Sequence, residues 1–301
     1  MLDTGAAQSC RPSLAKTTCS HLAENIMSAV TAFVKGTWDM RIGKPGPAQT
    51  HICQAFSDRV EVRGLDLCGD VMGHMGFAAY FHLLLTGRTP TPLQLEFLDL
   101  LLIAIAEHGM MPTNVVARMT LAADPGSLQG AVAAGILGCG PVILGTAELC
   151  ANLLTSAAKR VSAGDDARSV ALAMARDARA TGGRLPGFGH PVHKPLDPRT
   201  ERILDLADQR HAAGLHVGLA RQFRIAAAEV WGKPLTMNVS MPIAAVLLDL
   251  GFPAKLVKSI PILARTASLL AHLAEEQDMP VGFLMASAAE ESVSYSRDGD
   301  A

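Results

Sequence analysis

Three observations predict an all-α fold. The chain is 49% hydrophobic and 18% charged but only 4% aromatic. Its core must therefore be built from Ala, Leu, Val, Ile and Met, and Ala and Leu stand at the top of the helix scale. Apolar residues recur at helical spacing in one segment after another. No alternating strand of useful length stands between them. With 301 residues the chain is long enough for one large domain or two interlocked ones.

Residues 1–50 form a polar, extended N-terminal segment with a Gly/Pro cluster at Gly43 to Pro47, and little regular structure is expected there. Met27 is an alternative start. His51 to Val62 predicts short extended pieces around a turn at Ser57-Asp58. Leu67 to Leu85 reads as helix, stopped by Thr86-Gly87. Thr91 is placed to cap the next helix, with Pro92 at its first position and its end near His108. Asn114 to Ala123 follows, then Leu128 to Leu137, apolar nearly all round and so expected to be buried. Helices over Glu148 to Ser162 and Asp165 to Thr181 precede a dense break at Thr181 to His190. Arg199 to Ala212, His216 to Val230, Pro242 to Leu250 and Ala254 to Glu276 complete the set.

The formal net charge of -2 leaves no basic stripe for nucleic acid and no polybasic patch for a membrane. An anionic substrate would be held by a few local arginines. The six cysteines, Cys10, Cys19, Cys53, Cys68, Cys139 and Cys150, form no CxxC pair. They read as reduced cytoplasmic thiols, without a disulfide framework or zinc site. Apolar runs such as Phe97 to Ala106 fall short of the ~20 residues that span a bilayer. Met1 to Ala32 lacks the apolar region of a secretory signal.

The chemistry-bearing stretch is Leu185-Pro-Gly-Phe-Gly-His-Pro-Val-His-Lys-Pro-Leu-Asp-Pro-Arg199. Gly187 and Gly189 let backbone approach a ligand closely. His190 ends the turn, where an imidazole exchanges protons near neutral pH. Arg199 falls in the first turn of a helix, against the preference of the helix dipole, which calls for a carboxylate partner. A loop with incidental His and Lys is the competing reading of the spacing alone.

This stretch resembles the signature of the citrate synthase superfamily, Gly-x-Gly-His-x-x-Tyr-Lys-x-x-Asp-Pro-Arg. Gly187, Gly189, His190, Lys194, Asp197, Pro198 and Arg199 match it, with His193 in place of the Tyr. The resemblance runs from about Val62 to Gln277. It includes Arg63-Gly64, Leu83 to Pro90 and Ala264 to His272, where the family uses an Arg to grip a carboxylate. Glu107-His-Gly-Met-Met-Pro-Thr-Asn114 is closer to citryl-CoA lyase and the C-terminal part of ATP-citrate lyase than to true citrate synthases.

The resemblance implies a large helical domain (51–143 and 246–301) and a smaller one (144–245), with the active site in the cleft between them. It also implies a homodimer or higher homo-oligomer, in which the apolar Leu128 to Leu137 helix suits an interface. His108 and His190 would touch the substrate's oxo or hydroxyl oxygen. Arg199 and Arg265 would hold its carboxylates, with Asn114 beside them. Gly187, Phe188, Gly189, Lys194 and Asn238 would border coenzyme A, which arrives as part of the substrate. No tightly bound cofactor or metal is implied. His193 and His272 read as packing or surface residues, Arg118 as a cation on a helix face, and Asp249 as a surface acid.

The chain departs from the family at three places. Gly140-Pro-Val-Ile-Leu-Gly145 has Ile143 where synthases carry a His, a loss shared by the lyase branch. Asn238-Val-Ser240 has Ser240 where the family has the Asp that moves a proton at the thioester methyl; a positioned general base contributes ~10²–10⁴-fold. Pro191 stands where ATP-citrate lyase has an Arg. The expected reaction is retro-aldol cleavage of a 3-hydroxy-3-carboxyacyl-CoA to an acyl-CoA and a 2-oxo acid such as oxaloacetate. The alternatives are condensation by a citrate or alkylcitrate synthase, and a non-catalytic descendant that binds CoA or an acid.

Overall fold

The computed structural model describes residues 48–297, so the expectations for the N-terminal segment up to Pro47, Met27 included, lie outside the described residues. The extended pieces form a small antiparallel meander of β1 (Cys53–Ala55), β2 (Val60–Val62) and β3 (Leu65–Asp66). Arg63 and Gly64 take positive φ at the two-residue turn between β2 and β3, the twist that joins such strands. The helix expected over Leu67 to Leu85 is broken. A π-helical turn, Leu67–Val71, is capped by the Asp66 carboxylate, which accepts from the Cys68 and Gly69 N–H groups. Gly73, at φ 82, then ends it before α1 (Phe77–Thr86) begins.

Local signals place the other helices well. Thr91 and Gln94 form a reciprocal capping box at the start of α2 (Pro92–Ala106). The Gln94 side chain also donates to the Leu250 carbonyl across 2.8 Å, tying this helix start to a distant turn. Next come α3 (Pro112–Ala123), α4 (Leu128–Leu137), α5 (Thr146–Ser162) and α6 (Ala167–Ala180). Beyond them lie α7 (Pro198–Gln209), α8 (Leu215–Trp231), α9 (Ser240–Asp249), α10 (Ser259–Asp278) and α11 (Gly282–Ser292). The fold is all-α with a small β appendage. The sequence reading missed α11, which is held by Glu276: its carboxylate accepts from the Val281 and Gly282 N–H groups.

From Ile52 onward the chain forms one compact unit. Helices α2, α3, α4, α10 and α11 pack on one another, and α5 through α9 do likewise. One apolar cluster runs through both groups, from Phe97 and Leu101 on α2 to Phe223 on α8 and Val246 on α9. A smaller one joins Ala117, Leu121, Ala131, Leu269 and Leu273. The helical stretch Ala254–Asp278, which includes α10, is long and apolar enough to cross a membrane by length and composition, although the sequence reading saw no such run. It carries Arg265 and packs on α2, α3 and α4 as a core helix.

Three expectations need correction. Helix α4 is buried on one face only: Ala131 and Gly135 point inward, whereas Leu137 is 86% exposed. Gly135 permits the close approach, because a Cβ there would lie 2.7 Å from the Leu269 side chain. Arg118 is no surface cation. It is 1% exposed and meets Glu276 at 3.0 Å, with Glu275 and His272 alongside. Asp249 is no surface acid, since its carboxylate accepts from the Gly214, His216 and Val217 N–H groups at the start of α8. Both are polar residues whose partners come from distant sequence, which periodicity cannot show.

Candidate active site

Two short backbone segments build the floor of the site. Gly189 N–H donates to the Thr236 carbonyl (2.7 Å) and Asn238 N–H to the Gly187 carbonyl (2.9 Å), so the 187–189 turn runs antiparallel to 236–238. The Asn238 side chain adds a bond to the Gly189 carbonyl at 3.1 Å and accepts from Ser240 N–H. Gly187 has φ 81, and a Cβ there would meet Met241 and Cys150 below 3.0 Å, so only glycine fits.

These segments and the 107–112 turn enclose a cavity of about 450 Å³. Its polar end is formed by His108, His190, Arg199, Asn238, Ser240 and Arg265. Its apolar wall includes Ile105, Met111, Val142, Ile143, Leu144 and Val239. A cleft of about 520 Å³ lies elsewhere, along α6 and α8. Its Arg176 and Glu229 face each other at 3.6 Å, and it holds none of the chemistry described here.

The proton positions at the histidines follow from their neighbours. His190 Nδ1 accepts from the Val192 and His193 N–H groups (3.1 and 2.9 Å). Its ring proton therefore sits on Nε2, leaving a donor for a substrate oxygen. His108 Nε2 lies 3.0 Å from His193 Nε2, a distance that requires one proton between them. Burial lowers the His108 pKa, with Arg199 and His193 adding to the effect. Burial also lowers that of His190, followed by His193. Both rings thus favour the neutral form.

The three imidazoles offer nitrogens within 4.8 Å of one another, the spacing of a metal site. With Nδ1 of His190 taken by two backbone donors, its Nε2 carries a proton and has no lone pair for a metal. The donor set in this arrangement therefore does not fit a three-histidine metal centre.

Arg199 finds its carboxylate inside the protein. Its Nε and terminal nitrogen reach the two Asp197 oxygens at 3.0 and 2.8 Å, and Asp197, fully buried, also caps α7. Burial pushes the Asp197 carboxyl up, but the Arg199 hydrogen bonds and charge outweigh it and hold the pKa below the usual range. Arg265 is 2% exposed; one terminal nitrogen donates to Asn114 Oδ1 at 2.9 Å, while its buried Nε has no partner among the described residues.

Behind them, Glu107 accepts from Ser268, His272 and the His108 and Gly109 N–H groups. Burial raises its pKa, yet these bonds together lower it. The Glu107 carboxylate thereby pins the turn that carries His108.

Residues 47–281 match the profile of the citrate synthase C-terminal domain family. The chain belongs to the citrate synthase family. It is 30% identical over 208 residues to a citrate synthase of Synechocystis, covering 67% of this chain and 50% of that protein. It is 27% identical over 207 residues to the citrate/2-methylcitrate synthase of Bacillus subtilis, covering 67% and 53%. The chain spans about half the length of these curated relatives. Its fold superposes on citryl-CoA lyase from Hydrogenobacter thermophilus with a TM-score of 0.73 at 29% identity, covering 85% of this chain and 95% of that one. ATP citrate lyase from Methanothrix soehngenii, solved with citrate and coenzyme A, shares the fold at a TM-score of 0.68 and 17% identity, covering 99% and 47%. Within its superfamily the chain falls in the citryl-CoA lyase-like branch.

Against this geometry, His108, His190, Gly189, Arg199, Asn238, Ser240 and Arg265 all face the cavity, as the motifs suggested. Gly187 and Phe188 lie behind it, and Asn114 is buried against Arg265. Lys194 is exposed and outside the lining. Sequence reasoning missed His193 and His272, which are partners of the site. His193 meets His108, and His272 bridges Arg118 and Glu107. The signal at His193 was the replacement of the family Tyr by another proton-carrying group.

Proposed function

We infer that this chain performs citryl-CoA lyase-like retro-aldol cleavage of a 3-hydroxy-3-carboxyacyl-CoA, yielding an acyl-CoA and a 2-oxo acid. The observation that carries the reading is that His108, His190, Arg199 and Arg265 converge on one cavity whose wall also includes Ile143 and Ser240. The first four supply a base, a hydrogen-bond donor and cations for a carboxylated substrate. Ile143 stands where synthases use a His for condensation, and Ser240 where the family has the Asp that moves a proton. The likeness to citryl-CoA lyase over 95% of that chain supports the same direction.

In this reading Arg265, with its unpartnered Nε, takes the carboxylate. His190 Nε2–H donates to the hydroxyl oxygen as it becomes an oxo group, and a preorganised donor of this kind is worth ~10²–10³ in kcat. The 187–189 turn and Asn238 border the CoA arm. Residues 144–245 close on 51–143 and 246–301, excluding water from the enolate. Coenzyme A enters with the substrate, and the protein works as a cytoplasmic homo-oligomer without a metal.

The test is turnover of citryl-CoA by purified protein, read as release of oxaloacetate and acetyl-CoA, with His190→Ala as control. Cleavage lost in the control supports the reading. Saturable CoA-thioester binding without cleavage by the wild type would sink it and favour a non-catalytic binding protein, for which the Ser240 replacement speaks. The synthase names of the sequence relatives favour condensation as the second reading. Citrate formation from acetyl-CoA and oxaloacetate at a rate above cleavage would establish it.

A further inference from the structure

Retro-aldol cleavage leaves open what C3 of the substrate carries beside its hydroxyl and its carboxylate. In citryl-CoA that group is a second acid arm, which calls for a second cation. The charges and the apolar wall of the cavity bear on it.

Two guanidiniums line the cavity, Arg199 and Arg265. The Arg199 fork is already engaged. Its Nε and a terminal nitrogen hold both oxygens of Asp197, which is fully buried and also accepts from the Arg199 N–H at the start of α7. The charges of this pair cancel. Arg265 donates to a neutral amide, Asn114, and to no carboxylate among the described residues. The Glu107 charge, acting on Arg265 through space, offsets part of even that cation. His108 and His190 add no charge, since burial lowers the pKa of both. Neutral hydrogen-bonding groups are few. Asn238 spends its amide on the Gly189 carbonyl and the Ser240 N–H, and the Thr146 hydroxyl donates to the Pro141 carbonyl at 3.0 Å. One carboxylate is therefore balanced here, and a second would be buried without a counter-charge, which is costly.

The remaining lining is apolar. Val239, between Asn238 and Ser240, is 4% exposed. Ile143 and Leu144 line the same cavity from the 140–145 turn. Leu144 has φ 64, a left-handed backbone that leucine rarely adopts. Gly145 N–H closes the turn on the Gly140 carbonyl at 3.1 Å, and a Cβ at Gly145 would lie 2.6 Å from that oxygen. Strain of this kind clusters in ligand pockets, where the surrounding structure holds a side chain in place.

We propose that the 2-oxo acid half of the substrate is a monocarboxylate with a short alkyl side chain, so that the preferred thioester carries one carboxylate and an apolar group at C3. This rests on the lyase reading and names its substrate class. Arg265 binds the one carboxylate, and the alkyl group lies against Ile143, Leu144 and Val239. Asp197 is a positioning residue that sets specificity by withholding Arg199 from a second acid arm. Cleavage breaks C2–C3, turns the C3 hydroxyl into the oxo group and places one proton on C2, so no proton is gained or lost overall.

The experiment compares 3-carboxy-3-hydroxybutanoyl-CoA, which has a methyl group at C3, with citryl-CoA, both read as acetyl-CoA release. Wild-type kcat/KM should be at least ~10-fold higher for the methyl thioester, and equal values or a preference for citryl-CoA would overturn the proposal. Asp197→Asn frees the Arg199 fork, and Val142→Arg adds a cation at an exposed position of the lining. Either should shift the ratio at least ~5-fold toward citryl-CoA, and an unshifted ratio in both would count against the charge argument and overturn it. A third arm needs no turnover. With coenzyme A present, 2-oxobutyrate should bind the wild type with a Kd at least ~10-fold below that of oxaloacetate. If neither thioester is cleaved the lyase reading fails, and this binding ratio decides the specificity by itself, the reverse order overturning it.

Discussion

Arg199 and Asp197 are joined at both ends, Nε to Oδ1 at 3.0 Å and the terminal nitrogen to Oδ2 at 2.8 Å, with the carboxylate fully buried. Sequence reasoning expected a carboxylate for Arg199 and assigned that role to the substrate. The structure supplies it two residues away, so Arg199 enters the cavity already paired. Arg265, lacking such a carboxylate contact, is left as the stronger anion site. Asp197→Asn should keep the helix cap but strand the guanidinium, lowering stability by about 3 kcal/mol. Denaturant unfolding checks this, and a change under about 0.5 kcal/mol would show the pair to be energetically idle.

Arg118 and Glu276 form a second pair, buried on both sides. Removing one partner leaves a charge in the core. Glu276→Ala should cost about 3–5 kcal/mol and also loosen α11, whose first N–H groups it holds. A double change of Arg118 and Glu276 to Met and Leu should cost less than the single one. Thermal unfolding of both variants tests this ordering.

Asp249 makes acid stability testable. Burial raises its pKa, but the bonds from His216 and from three backbone N–H groups outweigh this, so the folded value lies below the ordinary 3.8. A depressed carboxylate stabilises the fold fully above its unfolded pKa, and that contribution is lost as pH falls through the folded value. Asp249→Asn should therefore be less stable than wild type near neutral pH by about 1–3 kcal/mol. The gap should close below roughly pH 4. An unchanged gap down to acid pH would mean the charge plays no part.

Ser240 opens α9 and lines the cavity, 8% exposed. If the cleavage chemistry runs without a carboxylate at this position, Ser240→Asp should change citryl-CoA cleavage by less than ~3-fold, against the ~10²–10⁴ that a needed base provides. Steady-state rates with purified variants decide it. A gain above tenfold would mark the wild-type site as eroded.

The helices were largely legible from sequence because their signals are local. Thr91-Pro92 and Asp197-Pro198 mark starts, Gly87 marks an end, and apolar periodicity fills the spans between. The motif residues His190, Arg199 and Arg265 were legible as a resemblance, and the cavity gathers them. Hidden from sequence were the partners. His193 meets His108 across 85 positions and Arg118 meets Glu276 across 158, and nothing in local spacing records such distances. The amino-acid sequence by itself determined which segments coil and which family they belong to, since backbone propensity and motif identity act within a few residues. Tertiary structure alone decided which charges are already paired, which imidazole nitrogen carries the proton, and which cation remains open for a ligand. Those properties depend on burial and on contacts within about 3 Å, which exist only once distant segments have packed.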